Sequence, residues 1–542
     1  MVLLSIAIGH ISCSHDSLQM FSSPSQDEGK LEAEATASIE EALTPPSSLT
    51  EVLTDELING VQSQEVQRAL HQVRTGGEDI DALTIESESS DGRKKRTIVH
   101  MLASEGNVEL LAILAQIGAN LDVQDEEGAT PAILAATNGH ALVMKALHEA
   151  GAELSRPNNW GSAPAHWAAQ EGHIQVIATL HQLGIDLDTP NSSGRTPLYY
   201  AAWQGHTEVV KLLHELGANL NTPNNDGATP AWIAASNSHA QVIRVLHELG
   251  ADLNTPSKKG NTPACMAAQN GHDQVIRVLH ELGADLSTPN NNGQTPAYIA
   301  AKQGHKAVIE SLQRLGFNLN GQDTNGNTLV HVAVLQGQVG VIKNLHRYGV
   351  SFSSLNSRGE PPTHVIDTQN AAPVIQALHE VGVNLNLLDR QGNTFAHLAA
   401  RNGHVEVIKA LHDAGVDFNV QNNDGNTPIH EAAWEGRAGV LTVLRRAAVN
   451  WNIQNEDGHT PLHLVAMYAN AHTEGATQQE NNEDSSTPIP RARIEDYIQI
   501  ITILREVGLN FDLEDEEGDT ALQIAQEVGA PAPLLEALQA QY

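Results

Sequence analysis

The 542-residue chain has little cysteine, few aromatic residues and few cations, and these shortages exclude several classes of protein. Its two cysteines, Cys13 and Cys265, are too few for the disulfide framework of a small secreted domain. No apolar run reaches the roughly 18 residues that a membrane-spanning helix needs. With 30 Lys and Arg against 65 Asp and Glu, the net charge is −35. This charge disfavours nucleic acid and anionic membranes as partners, because phosphate groups bind basic surfaces. Two interpretations of the acidity stay open: it only keeps a long chain soluble, or it attracts protein partners with basic patches.

Motifs for enzymatic chemistry are also missing. The chain has no phosphate-binding loop with Gly-Lys-Ser/Thr, no dinucleotide fingerprint, no Gly-x-Ser-x-Gly and no paired Cys-x-x-Cys. Most of its 27 histidines recur at fixed positions of a repeat, and equivalent positions on packed helices lie about 10 Å apart. That spacing is too wide for one tetrahedral ion with ligand bonds of about 2 Å. We therefore expect no catalytic residue, no metal site and no cofactor.

The histidines suggest a pH effect instead. Free histidine has a pKa near 6.5, and adding 27 protons would change the net charge from −35 to −8. A change of this size on the surface would alter the affinity for a partner in mildly acidic conditions.

A glycine recurs with a period of 33 residues over most of the chain. The eleven positions are Gly128, Gly161, Gly194, Gly227, Gly260, Gly293, Gly326, Gly359, Gly392, Gly425 and Gly458. A fixed period of this length indicates a stack of similar units, each too small to bury its own apolar face.

One unit, residues 226–254, shows how the pattern predicts structure. Gly227 suits a tight turn, Thr229 is a good helix N-cap, and Pro230 suits the first helical position. A short first helix follows, and apolar residues at helical spacing then predict a second helix that ends before Gly250. Turn, helix, turn and helix complete the unit.

At this level of detail the chain resembles the ankyrin repeat family. The family's Thr-Pro-x-His appears at 427–430, its Ala-Ala-x-x-Gly-His at 168–173, and its Gly-Ala-Asp-x-Asn at 250–254. The resemblance covers about 97–540 and implies an all-α fold, an α-solenoid of about 13 helix-turn-helix units with short hairpin-like turns. The unit at 361 departs from the pattern, because Ile366-Asp367 replaces Ala-Ala and Pro373 follows. We expect this unit to be the least regular.

The rest of the chain divides around the array, which we place at 97–542. Residues 1–47 are expected to be largely disordered, and 48–96 to form a degenerate helical N-terminal cap with a longer outgoing loop. The basic run Arg93 to Arg96 is expected in the turn before the first regular unit, and the alternative is a nuclear-import or anion-binding patch. A polar insert at 470–493 is expected to be a disordered loop between two helices.

The N-terminal residues leave the location of the protein in the cell open. Residues 1–13 read either as a slightly apolar terminus or as a truncated secretory or lipoprotein signal. The first interpretation favours a cytoplasmic protein, and the second a secreted or lipid-anchored one.

The resemblance implies that partners bind at the turn tips and at the exposed positions of the first helices. Carried over by position, these sites are Trp160, Arg195, Tyr199, Trp203, Lys258, Lys259, Lys302, Arg358, Arg390, Arg401 and Trp434. We expect a hot spot around Trp160, Arg195 and Trp203, because Trp, Tyr and Arg dominate binding energies at interfaces. The alternative is that these aromatic side chains fill gaps between units.

The resemblance therefore implies a non-enzymatic, monomeric scaffold or adaptor that binds one or more proteins. One alternative is an exported bacterial-type effector or surface protein that engages host proteins. Another is an enzyme with its activity in residues 14–90, although that segment is short and poor in apolar residues for a catalytic core.

Overall fold

The computed structural model describes residues 53–61, 63–75, 81, 84–89, 92–474 and 494–540. The expected disordered segment 1–47 and most of the 470–493 insert lie outside the described residues. Internal contacts divide the chain into two compact units, one ending at Pro230 and one beginning at Ala231. None of the described helices is long and apolar enough to cross a membrane.

The first unit begins with two helices and two antiparallel strands, α1 (Asp55–Asn59), α2 (Gln64–Arg74), β1 (Thr84–Ser89) and β2 (Gly92–Thr97). Its repeat helices are α3 (Ile98–Glu105), α4 (Val108–Gln116), α5 (Pro131–Thr137), α6 (Ala141–Glu149), α7 (Pro164–Glu171), α8 (Ile174–Gln182), α9 (Pro197–Gln204) and α10 (Thr207–Glu215).

The helix α11 (Pro230–Ser236) starts at the boundary, and the second unit continues with further helix pairs. Its helices are α12 (Ala240–Glu248), α13 (Pro263–Gln269), α14 (Asp273–Glu281), α15 (Pro296–Gln303), α16 (Lys306–Arg314), α17 (Leu329–Leu335), α18 (Val339–Arg347), α19 (Ala371–Glu380), α20 (Phe395–Arg401), α21 (Val405–Asp413), α22 (Pro428–Trp434), α23 (Ala438–Leu444), α24 (Pro461–Glu474), α25 (Ile494–Glu506), α26 (Ala521–Glu527) and α27 (Ala532–Gln539).

The repeat containing α9 and α10 shows why the sequence folds in this way. The Thr196 side chain accepts a hydrogen bond from the backbone N–H of Tyr199, and Pro197 occupies the first helical position. The helix ends at Gly205, whose φ of 87° is left-handed. The second helix then buries its apolar face. From α3 to α27 the chain forms thirteen successive pairs of a first and a second element. The predicted all-α array of helix-turn-helix repeats is therefore confirmed.

Paired alanines set the distance between neighbouring first helices. Ala168 and Ala169 of α7 and Ala201 and Ala202 of α9 are fully buried, and the two helices pack against each other. Small side chains permit this close approach, so the Ala-Ala positions form the core and the residue after them lies at its edge.

The stretch before the first regular unit differs from the expected loop and turn. Residues 84–89 pair antiparallel with 92–97, with Glu86 opposite Lys95. The basic run from Arg93 to Arg96 is therefore in a strand, and Arg96 Nε lies 3.3 Å from Asp125 Oδ2. We expected solvated polar residues in a turn here. Oppositely charged residue types occupy paired positions instead, Glu88 with Arg93 as well as Glu86 with Lys95, and such pairs favour the two strands.

The prediction that the unit at 361 is the least regular is confirmed. Its first helix is replaced by two 3-10 turns, Pro362–Val365 and Thr368–Asn370. The Asp367 side chain caps the second turn by accepting from the Gln369 N–H at 3.1 Å. Pro373 is tolerated only because it lies in the first turn of α19, where its missing N–H would have no helical partner.

The start of the 470–493 insert also differs from expectation. The helix α24 continues to Glu474, so 470–474 are helical instead of forming a loop. The chain is next described at Ile494, where α25 begins and completes the repeat.

Candidate protein-binding surface

The turn tips are held rigidly by polar side chains at their first position. Asn191 Oδ1 accepts hydrogen bonds from the backbone N–H groups of Ser193 and Arg195, both at 3.0 Å. Asn158 Oδ1 fixes Trp160 in the same way at 3.1 Å. Successive tips are joined as well, because the Ser192 N–H donates to the Trp160 carbonyl at 3.1 Å. The side chains at these tips are thus presented on a fixed backbone.

Arg195 lies against two aromatic rings of α9. Its guanidinium carbon is 5.1 Å from the centre of the Trp203 ring and 5.6 Å from that of Tyr199. Tyr200 stacks on Trp203, with ring centres 5.9 Å apart and an angle of 21° between the planes. Cation–π contacts of this type are worth roughly 0.5–1 kcal/mol at exposed sites. We call Trp160, Arg195, Tyr200 and Trp203 the aromatic patch.

Trp160 is 52% exposed, which is unusual for an indole, and it borders a cleft of about 120 Å³. Trp167, His166 and Tyr200 line the same cleft, so Tyr200 links Trp160 to Trp203. Burial lowers the pKa of His166 to about 4, so this ring is neutral near pH 7. The cleft is therefore lined by uncharged, mainly aromatic side chains, and the Arg195 guanidinium lies close to it.

Two buried donors in this region have no hydrogen-bond acceptor within the described part of the chain: Trp167 Nε1 and Arg195 Nε. A buried donor without an acceptor costs about 1–3 kcal/mol. Trp167 was not among the sequence-derived candidates for partner binding. No sequence signal could have identified it, because the burial of one indole nitrogen depends on residues from neighbouring repeats.

Tyr199 has a different position from the one its sequence pattern suggests. Its side chain is 2% exposed, and burial raises the pKa of its hydroxyl to about 12. The Tyr199 ring packs against the Arg195 guanidinium from the buried side, and it exposes almost no area that a partner could contact.

The other sequence-derived candidates lie in the second unit. Lys258 and Lys259 are exposed at one turn tip, and they line a cleft with Lys302 of α15. Arg358 and Arg390 are exposed at later tips. Leu335, the residue equivalent to Lys302 in the next repeat, is 46% exposed and borders a cleft with Arg358. Leu335 was not among the sequence-derived candidates, although its position after the buried pair of α17 was the available signal.

Arg401 and Trp434 are partly engaged in the fold. Arg401 Nε lies 2.7 Å from Glu431 Oε2, and the Glu431 side chain is only 4% exposed. Asn422 Nδ2 donates to the other carboxylate oxygen of Glu431 at 3.3 Å. Trp434 is half-buried, and its carbonyl accepts from the Tyr497 hydroxyl at 2.9 Å.

We predict that Arg401→Gln destabilises the second unit as well as changing its surface. The substitution leaves the buried Glu431 carboxylate without its cation, and we expect a loss of about 1–2 kcal/mol, less than for a fully buried pair because Arg401 is 42% exposed. Urea unfolding followed by circular dichroism measures the loss. An Arg401→Gln/Glu431→Gln double variant should recover part of it, and an equal or larger loss in that variant would contradict this account.

The histidine of Thr-Pro-x-His is a structural group. In the repeat of α22, His430 Nδ1 accepts from the Thr427 N–H at 3.1 Å, and His430 Nε2 lies 3.1 Å from the His459 carbonyl of the next turn. A backbone N–H can only donate, so the neutral tautomer with the proton on Nε2 satisfies both bonds. One ring thus caps its own helix and ties two repeats together.

Burial lowers the pKa of this whole class of histidines. They are His100, His166, His331, His364, His397, His430 and His463. The change from −35 to −8 is therefore too large an expectation for mildly acidic conditions, because burial disfavours protonation of these rings while the protein is folded. No group of three or more His, Cys, Asp or Glu side chains in the described residues is arranged to hold a metal ion.

Comparison with protein families gives matches over more than half of the chain. A model of ankyrin repeats in three copies matches 66–158, 216–290, 282–356 and 364–455. A second model, of ankyrin repeats in many copies, matches 165–214. The search of curated protein sequences gave no significant match.

Proposed function

The chain belongs to the ankyrin repeat family, and we propose on this basis that it is a non-enzymatic scaffold or adaptor for partner proteins. Ankyrin repeats are generally modules for protein–protein interaction. The binding surface that we propose consists of the turn tips and the exposed ends of the first helices. We further propose that the protein acts as a monomer and that its acidic surfaces bind partners with basic patches.

The aromatic patch is the observation that supports this proposal most. Trp160 exposes half of a large apolar side chain, although its backbone is fixed by Asn158. An exposed, rigidly held indole beside an arginine matches the composition of interface hot spots, since little conformational entropy is lost on binding.

We predict that Trp160→Ala/Trp203→Ala loses most of its affinity for a captured partner. The partner is first isolated with the whole chain, identified by mass spectrometry and purified, and its Kd is then measured by calorimetry. Hot-spot residues contribute about 2 kcal/mol or more, so we expect the Kd to rise at least about 30-fold.

Two matched variants make this result specific. Trp160→Phe/Trp203→Phe keeps aromatic faces and should retain much of the affinity, and Leu388→Ala removes another exposed apolar side chain (47% exposed) and should change nothing. An unchanged Kd in the double alanine variant would move the hot spot elsewhere on the array. Failure of the whole chain to capture any specific protein would refute the scaffold itself.

A further inference from the structure

Three lysines meet in one cleft of the second unit. Lys258 and Lys259 at a turn tip and Lys302 at the end of α15 line a cleft of about 360 Å³. The other lining side chains are asparagines and glutamines, with Ile299 as the apolar exception. No carboxylate lines this cleft.

The positive charge of these lysines is not neutralised locally. Elsewhere Lys211, Lys343 and Lys409 each pair with a glutamate at 2.5–2.8 Å. Within the described ranges, Lys258, Lys259 and Lys302 form no ion pair, although acidic residues outnumber basic ones by 65 to 30 in the chain. Three cations in one cleft without a carboxylate are therefore a local exception to the charge of the protein.

Asp323, on the turn tip after the two that line the cleft, has both carboxylate oxygens engaged in hydrogen bonds within the fold. Asp323 Oδ2 accepts from the Tyr298 hydroxyl at 2.8 Å, and Oδ1 accepts from the backbone N–H groups of Asn325 and Asn327. More distant carboxylates are screened, because the Debye length at physiological ionic strength is about 8 Å. The net charge of −35 thus does not prevent an anion from binding at this cleft.

The backbone that carries the lysines is held in place. Asn291 Nδ2 donates to the Lys258 carbonyl at 3.0 Å, and the Asn291 N–H donates to the Lys259 carbonyl at 3.2 Å. Asn290 Nδ2 donates to Asn261 Oδ1 at 2.9 Å. The lysine side chains are free to reach a ligand from a rigid frame, which lowers the entropy lost on binding.

From these observations we propose that the cleft of Lys258, Lys259 and Lys302 binds an acidic segment of a partner protein. The proposal rests on the proposed scaffold function and specifies the partner's chemistry at this place. The lysine ammonium groups can form ion pairs with the carboxylates of such a segment. Asn292 and Gln303 can form hydrogen bonds with its peptide backbone. A nucleic acid fits less well, because strong binding to it needs basic groups along an extended phosphate backbone.

The test measures the Kd between the whole chain and a fluorescein-labelled peptide of alternating Glu and Gly. Binding is detected by fluorescence anisotropy at low and at high salt. The controls are a Gln-Gly peptide and labelled oligo-dT. We expect the acidic peptide to bind, to weaken with salt, and to bind more tightly than either control. Lys258→Gln/Lys259→Gln/Lys302→Gln should raise its Kd about tenfold, which is the size expected when three exposed ion pairs are lost.

Lys211→Gln/Lys343→Gln/Lys409→Gln changes the net charge equally and should raise the Kd less than twofold. Equal losses in the two triple variants, equal binding of the Gln-Gly peptide, or tighter binding of oligo-dT would overturn the proposal. If the acidic peptide does not bind but proteins are still captured through the aromatic patch, only the lysine cleft is refuted. Absence of any captured partner would refute the scaffold function instead.

Discussion

His430→Gln is expected to unfold at lower pH than the unmodified chain. His430 is fully buried, and burial lowers its pKa to about 4 in the folded protein, against about 6.5 when it is unfolded. A proton on Nδ1 would face the Thr427 N–H, which is itself a donor. The folded protein therefore excludes the proton that the unfolded chain accepts.

The direction of the pH effect follows from this difference. Between about pH 6.5 and 4 the unfolded chain binds more protons at this residue, so stability is present above pH 6.5 and is lost as the pH falls. At pH 5 the loss is about 2 kcal/mol for His430, and about the same for His166, whose pKa is also about 4. The other motif histidines shift in the same direction, so the losses accumulate along the array.

The chain contains a natural model for the substitution. In the last repeat Gln523 takes the place of the histidine, and its Oε1 accepts from the Thr520 N–H at 2.8 Å. His430→Gln should therefore keep the helix cap, lose about 1 kcal/mol at pH 7 with the bond to the His459 carbonyl, and lose less on acidification.

Urea unfolding at pH 7 and at pH 5, followed by circular dichroism, measures this difference. The fall in unfolding free energy should be about 2 kcal/mol smaller for His430→Gln than for the unmodified chain. His148→Gln, at an exposed histidine outside this network, should leave the fall unchanged. The same pH dependence in all three proteins would show that His430 is not a source of acid sensitivity.

The repeat boundaries were predictable from sequence because their causes are local. Thr196 caps its own helix, Pro197 starts it, and Gly205 ends it within ten residues of chain. Each of these effects depends on backbone geometry that the residue type itself dictates. For the same reason Pro373 and the missing Ala-Ala pair identified the irregular unit in advance.

The candidate surface was less predictable because exposure depends on neighbouring repeats. Tyr199 and Trp203 lie one helical turn apart and look alike in sequence, yet the first is 2% exposed and the second half-buried. Arg401 looks like a free surface cation until the burial of Glu431, thirty residues away, is known. The strand pair 84–89 and 92–97 was missed because both strands are rich in charged residues, and only their pairing makes them favourable.

Gly425→Ala is expected to be among the most damaging single changes in the second unit. Gly425 has a φ of 71°, and an added Cβ would lie 2.6 Å from the backbone nitrogen of Glu456 on the next turn tip. The left-handed backbone costs about 1 kcal/mol for alanine, and the overlap adds about 2 kcal/mol because backbone atoms cannot rotate away. A shift of the tip would also strain the hydrogen bond from the Glu456 N–H to the Asp424 carbonyl at 3.1 Å.

Gly415 provides the matched control in the same connection, just after the end of α21. Its φ is 72°, nearly the same, but an added Cβ there meets no atom within 4 Å. Gly415→Ala should therefore cost about 1 kcal/mol and Gly425→Ala about 3 kcal/mol in urea unfolding. The difference measures how tightly one turn tip is pressed against the next. Equal losses would mean that neighbouring tips separate at little cost in free energy. Contact between tips would then not explain the rigid backbone that we describe at Arg358, Arg390 and the lysine cleft.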